Sequence, residues 1–74
     1  MIHFTLKIML ARRDMTQRKL AELTGIRSVT ISKICTGKID RIPVTVLDRI
    51  CSTLDCQPSD IMEYIPGKKQ TNNN

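Results

Sequence analysis

The chain has 74 residues, 41% of them hydrophobic, which suits one small globular domain and leaves no room for a large enclosed cavity. No apolar run approaches the ~20 residues that span a bilayer, and no signal peptide opens the sequence, so we expect a cytoplasmic protein with no membrane partner. The net charge of +5 lies in one segment, because residues 12–41 hold eight of the 12 basic residues and three of the seven acidic ones. Such a local excess favours a polyanionic partner such as nucleic acid, although a solvated basic surface would give the same count.

The first two helices are predicted from apolar spacing and from their end residues. Apolar residues recur every three or four positions over residues 5–13, which indicates an amphipathic helix. Thr16 is a good N-cap for a second helix, because its hydroxyl can accept a hydrogen bond from a free first-turn amide. That helix ends at Gly25, since glycine adopts the positive φ of a helix C-terminus without steric cost.

The third predicted helix has two different surfaces. It begins at Arg27 or Ser28 and ends at Gly37. At about 100° per residue, Ile31, Ile34 and Cys35 share one arc. A wider, small, polar and cationic arc contains Ser28, Val29, Ser32, Lys33 and Thr36. We therefore expect the apolar arc to anchor the helix and the polar arc to face a partner.

Two further helices are predicted in the second half of the chain. The fourth covers residues 43–54, because proline is tolerated in a first helical turn. Its apolar stripe, expected to face the core, consists of Val44, Leu47, Ile50, Cys51 and Leu54. Pro58 opens a short fifth helix, with Ile61 and Met62 predicted to face inward.

The apolar stretches near the two ends of the sequence are too short for helices. Residues 2–4 and 64–66 both alternate, so we predict that they pair as a two-stranded β-ribbon. Residues 67–74 are polar and are predicted to form a disordered tail, which leaves residues 1–66 as the domain. The predicted fold class is therefore all-α, a five-helix domain with a short terminal β-ribbon.

Helices two and three have the spacing of a helix-turn-helix unit. Ala21 is small enough for the helices to approach closely, and Gly25 permits the sharp turn between them. Ile26, Ile31 and Ile34 are expected to pack the pair against helices one and four. In such a unit the second helix is held out for insertion into the major groove of DNA. A generic helical hairpin is the alternative.

Two groups of motifs in the sequence resemble a known family. The first group is MTQRKLA from Met15, TGI from Thr24, TIS from Thr30, and Gly37-Lys38; the second is LDRIC from Leu47, LDCQPSD from Leu54, and EYIP from Glu63. With these motifs, residues 1–66 resemble the Xre/Cro-repressor family of bacterial and phage helix-turn-helix regulators, in a compact subgroup that contains little beyond the DNA-binding domain. The resemblance implies a repressor-like fold and double-stranded DNA as the partner.

The resemblance also implies roles for individual side chains. Gln17 would contact a phosphate at the start of helix two, and Thr36 and Lys38 would touch the DNA backbone. Bases would be read by Arg27, Ser28, Val29, Ser32 and Lys33. The chemistry agrees, because Arg and Lys donate to guanine, Ser pairs with several bases, and Val methyls can meet a thymine methyl. The remaining cations of this region are predicted to contact phosphates, which position without specifying: Arg12, Arg13, Arg18, Lys19, Lys38 and Arg41.

These features predict a sequence-specific regulator of transcription. Binding as a homodimer to a two-fold operator is expected, since a single recognition helix reads only a few base pairs. Ile8, Val46, Met62 and the terminal segments are candidate dimer contacts, with completion of the core as their alternative role. An antitoxin or another protein-interaction module built on the same fold is the alternative function.

Other function classes have little support in the sequence. It contains no Ser/His/Asp set, no recognisable pair of catalytic carboxylates and no phosphate-cradling glycine loop, so an enzyme is not predicted. Phe4 and Tyr64 are its only aromatic residues, too few to stack single-stranded RNA. We also expect no cofactor and no metal, because His3 and the cysteines show no ligand spacing. Cys35, Cys51 and Cys56 are interpreted as reduced thiols that pack as small hydrophobes.

Overall fold

The structure, a computed structural model, describes residues 1–66. The predicted tail, residues 67–74, lies outside the described residues. Four α-helices and two strands follow in chain order: β1 (Ile2–Phe4), α1 (Leu6–Arg12), α2 (Gln17–Thr24), α3 (Ser28–Thr36), α4 (Val44–Leu54) and β2 (Met62–Tyr64). A single 3₁₀ turn, Pro58–Asp60, lies between α4 and β2. Within residues 1–66, no helix has the length and apolar character needed to cross a membrane.

The helices share one hydrophobic core. In α1, α3 and α4 the buried side chains recur at three- or four-residue spacing, so that one face of each helix is turned inward, whereas α2 buries only Leu20. The buried apolar residues are Leu6, Leu10, Leu20, Ile26, Ile31, Ile34, Ile50, Leu54 and Ile61. The core thus holds α2 and α3 together through the isoleucines that the sequence assigns to this task.

The predicted helix ends are confirmed in the first half of the chain. The Thr16 hydroxyl accepts a hydrogen bond from the Lys19 backbone N–H at 3.0 Å, which caps the start of α2. Gly25 and Gly37 follow α2 and α3 with φ of 77° and 75°, the left-handed conformation that glycine adopts most easily. The chain therefore turns sharply at both ends of α3.

The predicted fifth helix is wrong, and the described residues contain four α-helices. In place of that helix there is a single 3₁₀ turn, Pro58–Asp60. The Asp60 and Ile61 N–H groups donate to the Gln57 and Pro58 carbonyls at 2.8 and 3.1 Å. The turn cannot continue as a helix, because the Ile61 carbonyl accepts from the Thr5 N–H at 2.8 Å and directs the chain towards β1. Met62 consequently belongs to a strand, where it is half-buried.

The predicted terminal ribbon is present, but its second strand begins earlier than expected. β1 and β2 pair antiparallel, with Ile2 opposite Tyr64, His3 opposite Glu63 and Phe4 opposite Met62. The second strand is thus Met62–Tyr64 and not residues 64–66. The Ile65 N–H adds one more hydrogen bond to the Met1 carbonyl, at 2.8 Å.

The predicted core stripe of α4 is wrong at its first residue. Val44 is 79% exposed, whereas Ile50 and Leu54 are buried and Leu47 and Cys51 are half-buried. Pro43 acts as the N-cap, so Val44 is the first residue of the helix, at its exposed end. The side chains that hold α4 on the core begin with Val46 and Leu47, which pack against the buried residues.

Candidate nucleic-acid interface

The outer surface of α3 carries all five side chains predicted to read bases. Arg27, Ser28, Val29, Ser32 and Lys33 are each exposed; together they are called the reading face below. Ile31 and Ile34, on the opposite side of the same helix, are fully buried. Val29 is 51% exposed despite its apolar side chain, so its methyl groups are available to a partner and do not complete the core.

The turn between α2 and α3 is held by the hydroxyl group of Thr24. This hydroxyl donates to the Leu20 carbonyl at 2.7 Å and accepts from the Ile26 N–H at 3.1 Å. The Gly25 N–H donates to the Ala21 carbonyl at 2.9 Å. One side chain thereby joins the end of α2 to the residue that anchors the turn in the core. This role of Thr24 was not predicted from the sequence. A threonine hydroxyl in a last helical turn often donates a hydrogen bond to the carbonyl four residues earlier.

The start of α3 favours negative charge. Arg27 is the N-cap, and its carbonyl accepts from the Thr30 and Ile31 N–H groups at 3.0 and 3.2 Å. Its side chain makes no capping bond, so the guanidinium stays exposed beside the helix start. The first-turn amides of Ser28 and Val29 have no partner within the helix and form the positive end of its dipole.

Three predicted DNA-contacting cations converge on one surface groove beside α3. The groove has a volume of about 370 Å³, and Lys33, Lys38 and Arg41 line it together with Asp40 and Thr30; it is called the basic groove below. The Lys38 N–H donates to the Lys33 carbonyl at 2.9 Å, which folds the loop after α3 back towards the helix. Lys33 therefore belongs to both surfaces, and the groove continues the reading face.

Thr30 and Asp40 are groove residues that the sequence analysis did not single out. Thr30 lies one helical turn before Lys33, so the period of the helix could have placed it on the same surface. Asp40 has no such signal, because its position depends on how the loop folds. Its carboxylate lowers the positive charge of a groove that three cations line.

The start of α2 is a second place where amides face outward. Gln17 is the first residue of the helix and is half-buried, while the neighbouring Arg18 and Lys19 are exposed. The Thr16 cap takes up only the Lys19 amide. The Gln17 and Arg18 amides have no partner within the helix, so they can donate to an anion.

Three residues predicted to contact phosphates are placed or bonded differently. The Arg13 guanidinium donates to the Leu54 carbonyl at the end of α4, where a cation also favours the negative end of the helix dipole. The Thr36 hydroxyl donates to the Ser32 carbonyl at 2.9 Å, so its proton is already used. Arg12 lines a separate groove of about 240 Å³ with Thr5, Ile8, Met9, Ser59 and Asp60. Arg12, Arg13 and Thr36 thus do not line the basic groove, and their contacts with DNA stay predictions.

The family is decided by comparison with known proteins. The model of the Cro/C1-type HTH DNA-binding domain matches residues 5–67, which include every helix described above. This chain belongs to the Cro/C1-type helix-turn-helix family. The resemblance drawn from the sequence motifs is therefore confirmed, and with it membership in a family of DNA-binding transcriptional regulators.

Two relatives place this Cro/C1-type protein more closely. The uncharacterized HTH-type transcriptional regulator YozG of Bacillus subtilis (strain 168) is 40% identical over 63 residues, which are 85% of this chain and 75% of the relative. The crystal structure of the transcriptional regulator VanUg, form II, is similar with a TM-score of 0.72 and 34% identity, covering 89% of this chain and 87% of that chain. Each of the two matches covers at least 85% of this chain.

Proposed function

We propose that this protein is a sequence-specific regulator of transcription that inserts α3 into the major groove of double-stranded DNA. The observation that carries the proposal is the two-sided burial of α3. Ile31 and Ile34 are fully buried, whereas the five residues of the reading face are exposed. A helix held in this way presents a row of side chains at a fixed orientation, as major-groove readout requires.

The exposed side chains divide into two kinds of contact. Arg27 and Lys33 can donate to guanine, and the Val29 methyl groups can meet a thymine methyl. The amides at the start of α2 and the cations of the basic groove suit phosphates, which fix the position of the protein on the duplex. Because Lys33 lines the basic groove as well as the reading face, its contact couples position to sequence.

We further propose that the protein binds a two-fold operator as a homodimer whose subunits meet at the ribbon. The joined ends of the domain expose four apolar side chains, Met1, Ile2, Tyr64 and Ile65, between 42% and 74% exposed; they are called the ribbon patch below. Large apolar side chains exposed together at one end of a small protein favour an interface there. Of the other candidate dimer contacts, Val46 packs against the core and Met62 is half-buried, while Ile8 is exposed.

Selection from a pool of random DNA duplexes tests the DNA proposal. We expect one enriched motif with two-fold symmetry, bound with an affinity that falls steeply as salt rises. No enriched motif would contradict the proposal. Copurification with a second protein chain at equal stoichiometry, without an enriched motif, would favour the protein-interaction module.

Two lysine variants separate readout from positioning. Lys33→Ala is expected to relax base preference at one position of each half-site, because it removes a base contact. Lys38→Ala is expected to weaken binding to all duplexes alike and serves as the matched control. If both variants weaken every duplex equally, Lys33 reads no base.

Light scattering of the purified protein tests the dimer. Tyr64→Asp places a charge in the ribbon patch and is expected to yield monomers, whereas His3→Lys, which places a charge opposite Glu63 in the same ribbon, is expected to leave the dimer intact. A wild-type monomer at the concentrations that bind DNA would contradict the dimer while leaving the proposed role of α3 unaffected.

A further inference from the structure

Two of the three cysteines share one surface groove at the end of α4. Cys51 lies in α4, and Cys56 follows the helix after a turn. Both thiols are free and half-buried. They line a groove of about 270 Å³ together with Val44, Leu47, Asp48, Gln57 and Pro58. The third cysteine, Cys35, lies in α3 and does not line this groove.

The backbone brings the two cysteines close together at the end of α4. Asp55 adopts a left-handed conformation with φ of 51°, which stops α4 and reverses the chain. The Cys56 N–H then donates to the Cys51 carbonyl at 3.0 Å. In this type of helix end the residues joined by that hydrogen bond bring their side chains into contact. Cys51 and Cys56 are accordingly neighbours in space and line the same groove.

The neighbourhood suits a covalent bond between the sulfurs better than a metal ion. Within the part of the chain that the structure describes, no group of three or more His, Cys, Asp or Glu side chains could hold a metal. A pair of thiols alone leaves a metal ion with too few ligands for a closed site. Two neighbouring thiols, reached through an open groove, need only lose their protons and two electrons to bond.

We propose that Cys51 and Cys56 are a modification site, which a low-molecular-weight disulfide such as oxidised glutathione converts into an intramolecular disulfide. The Cys51 sulfur attacks the small disulfide, loses its proton, forms a mixed disulfide and expels one small thiol. The Cys56 sulfur then loses its proton, attacks the Cys51 sulfur and expels the second small thiol. The two cysteines are oxidised by two electrons, the small disulfide is reduced to two thiols, and excess thiol reverses both steps.

The second step is sensitive to pH. Burial, followed by the neighbouring Cys51 and Asp60, raises the pKa of the Cys56 thiol to about 11, and Arg13 opposes this shift. Among the residues that line the groove, Asp48 is the one with a charged side chain. Because only the thiolate attacks, and because the burial that raises the pKa of the Cys56 thiol persists in the mixed disulfide, the closing step is expected to accelerate as the pH rises from 7 to 9.

Counting free thiols after oxidation tests the proposal. The full chain is incubated with oxidised glutathione, quenched with acid, labelled with a maleimide and weighed intact. We expect the number of free thiols to fall from three to one. The measured mass is expected to be that of a single chain that carries no glutathione. Cys35→Ser, the matched control, is expected to fall from two free thiols to none. Cys51→Ser and Cys56→Ser are expected to retain glutathione, because the closing partner is missing.

Three outcomes would overturn the proposal: three thiols that survive prolonged oxidation at pH 9, a stable glutathione adduct at the pair, or a disulfide between two chains. A thermal melt supplies an independent readout. The oxidised wild type is expected to melt at a higher temperature than the reduced one, and dithiothreitol is expected to reverse the shift. A lower melting temperature after oxidation would mean that the disulfide distorts the fold. It would contradict the proposal that the end of α4 places the two cysteines ready to bond.

Discussion

The basic groove makes a quantitative prediction about salt. Lys38 and Arg41 line it from the loop after α3, and both side chains are exposed. If each neutralises one phosphate, the double variant Lys38→Ala/Arg41→Ala lowers the slope of log K against log salt by about 1.8 per bound subunit, which is about 3.6 for the proposed dimer. The contacts would then account for about a twelvefold loss of wild-type affinity per subunit, or about 150-fold for the dimer, between roughly 50 and 200 mM salt. The double variant would lack that part of the salt dependence.

Fluorescence anisotropy with a labelled duplex of the selected sequence measures the slope at several salt concentrations. Lys7→Ala/Arg49→Ala is the matched control, because it removes the same charge from exposed positions that do not line the groove. Melting curves establish that both variants are folded. An unchanged slope in the groove variant would refute the assignment. An equal loss in the control would mean that overall charge, and not the groove, governs binding.

Removing the Asp40 charge with Asp40→Asn is expected to strengthen DNA binding severalfold at low salt, since a carboxylate leaves the basic groove; weaker binding in the same anisotropy assay would contradict this. Gly25→Ala is expected to lower the unfolding free energy by about 1 kcal/mol in urea titrations, because the backbone is left-handed but no atom lies within 4 Å of an added Cβ. Thr16→Ala should lose about 1 kcal/mol with its cap, and Thr16→Ser should retain most of it. The unfolding free energy should fall as pH rises from about 9 to about 11, since folded Cys56 keeps its proton where the unfolded thiol loses it. Cys56→Ser should reduce that dependence, and Cys35→Ser/Cys56→Ser should reduce it further, because burial also raises the pKa of the Cys35 thiol.

Features that depend on neighbouring residues in the sequence could be predicted from the sequence alone. The Thr16 cap and the glycine after α2 follow from the local chemistry of helix ends, and the structure contains both. The two arcs of α3 follow from helical period, so the buried isoleucines and the exposed reading face could be separated without coordinates.

Features that depend on distant residues could not be predicted in this way. The chain leaves the 3₁₀ turn as a strand because of a hydrogen bond between Thr5 and Ile61, residues far apart in sequence. Arg13 bonds to the end of α4, and nothing near it in the sequence indicates that partner. Val44 fits the apolar stripe of α4 by spacing alone, but as the first residue of the helix it is left largely exposed.

The separation of tasks across α3 has a consequence for how binding preference can change. Stability depends on Ile31 and Ile34, which are fully buried, whereas the five residues of the reading face are exposed. Substitutions on the outward side are therefore nearly free of folding penalties, as surface changes usually are. Such a scaffold can be retargeted to a new operator, by selection in nature or by grafting in the laboratory, without redesign of its interior.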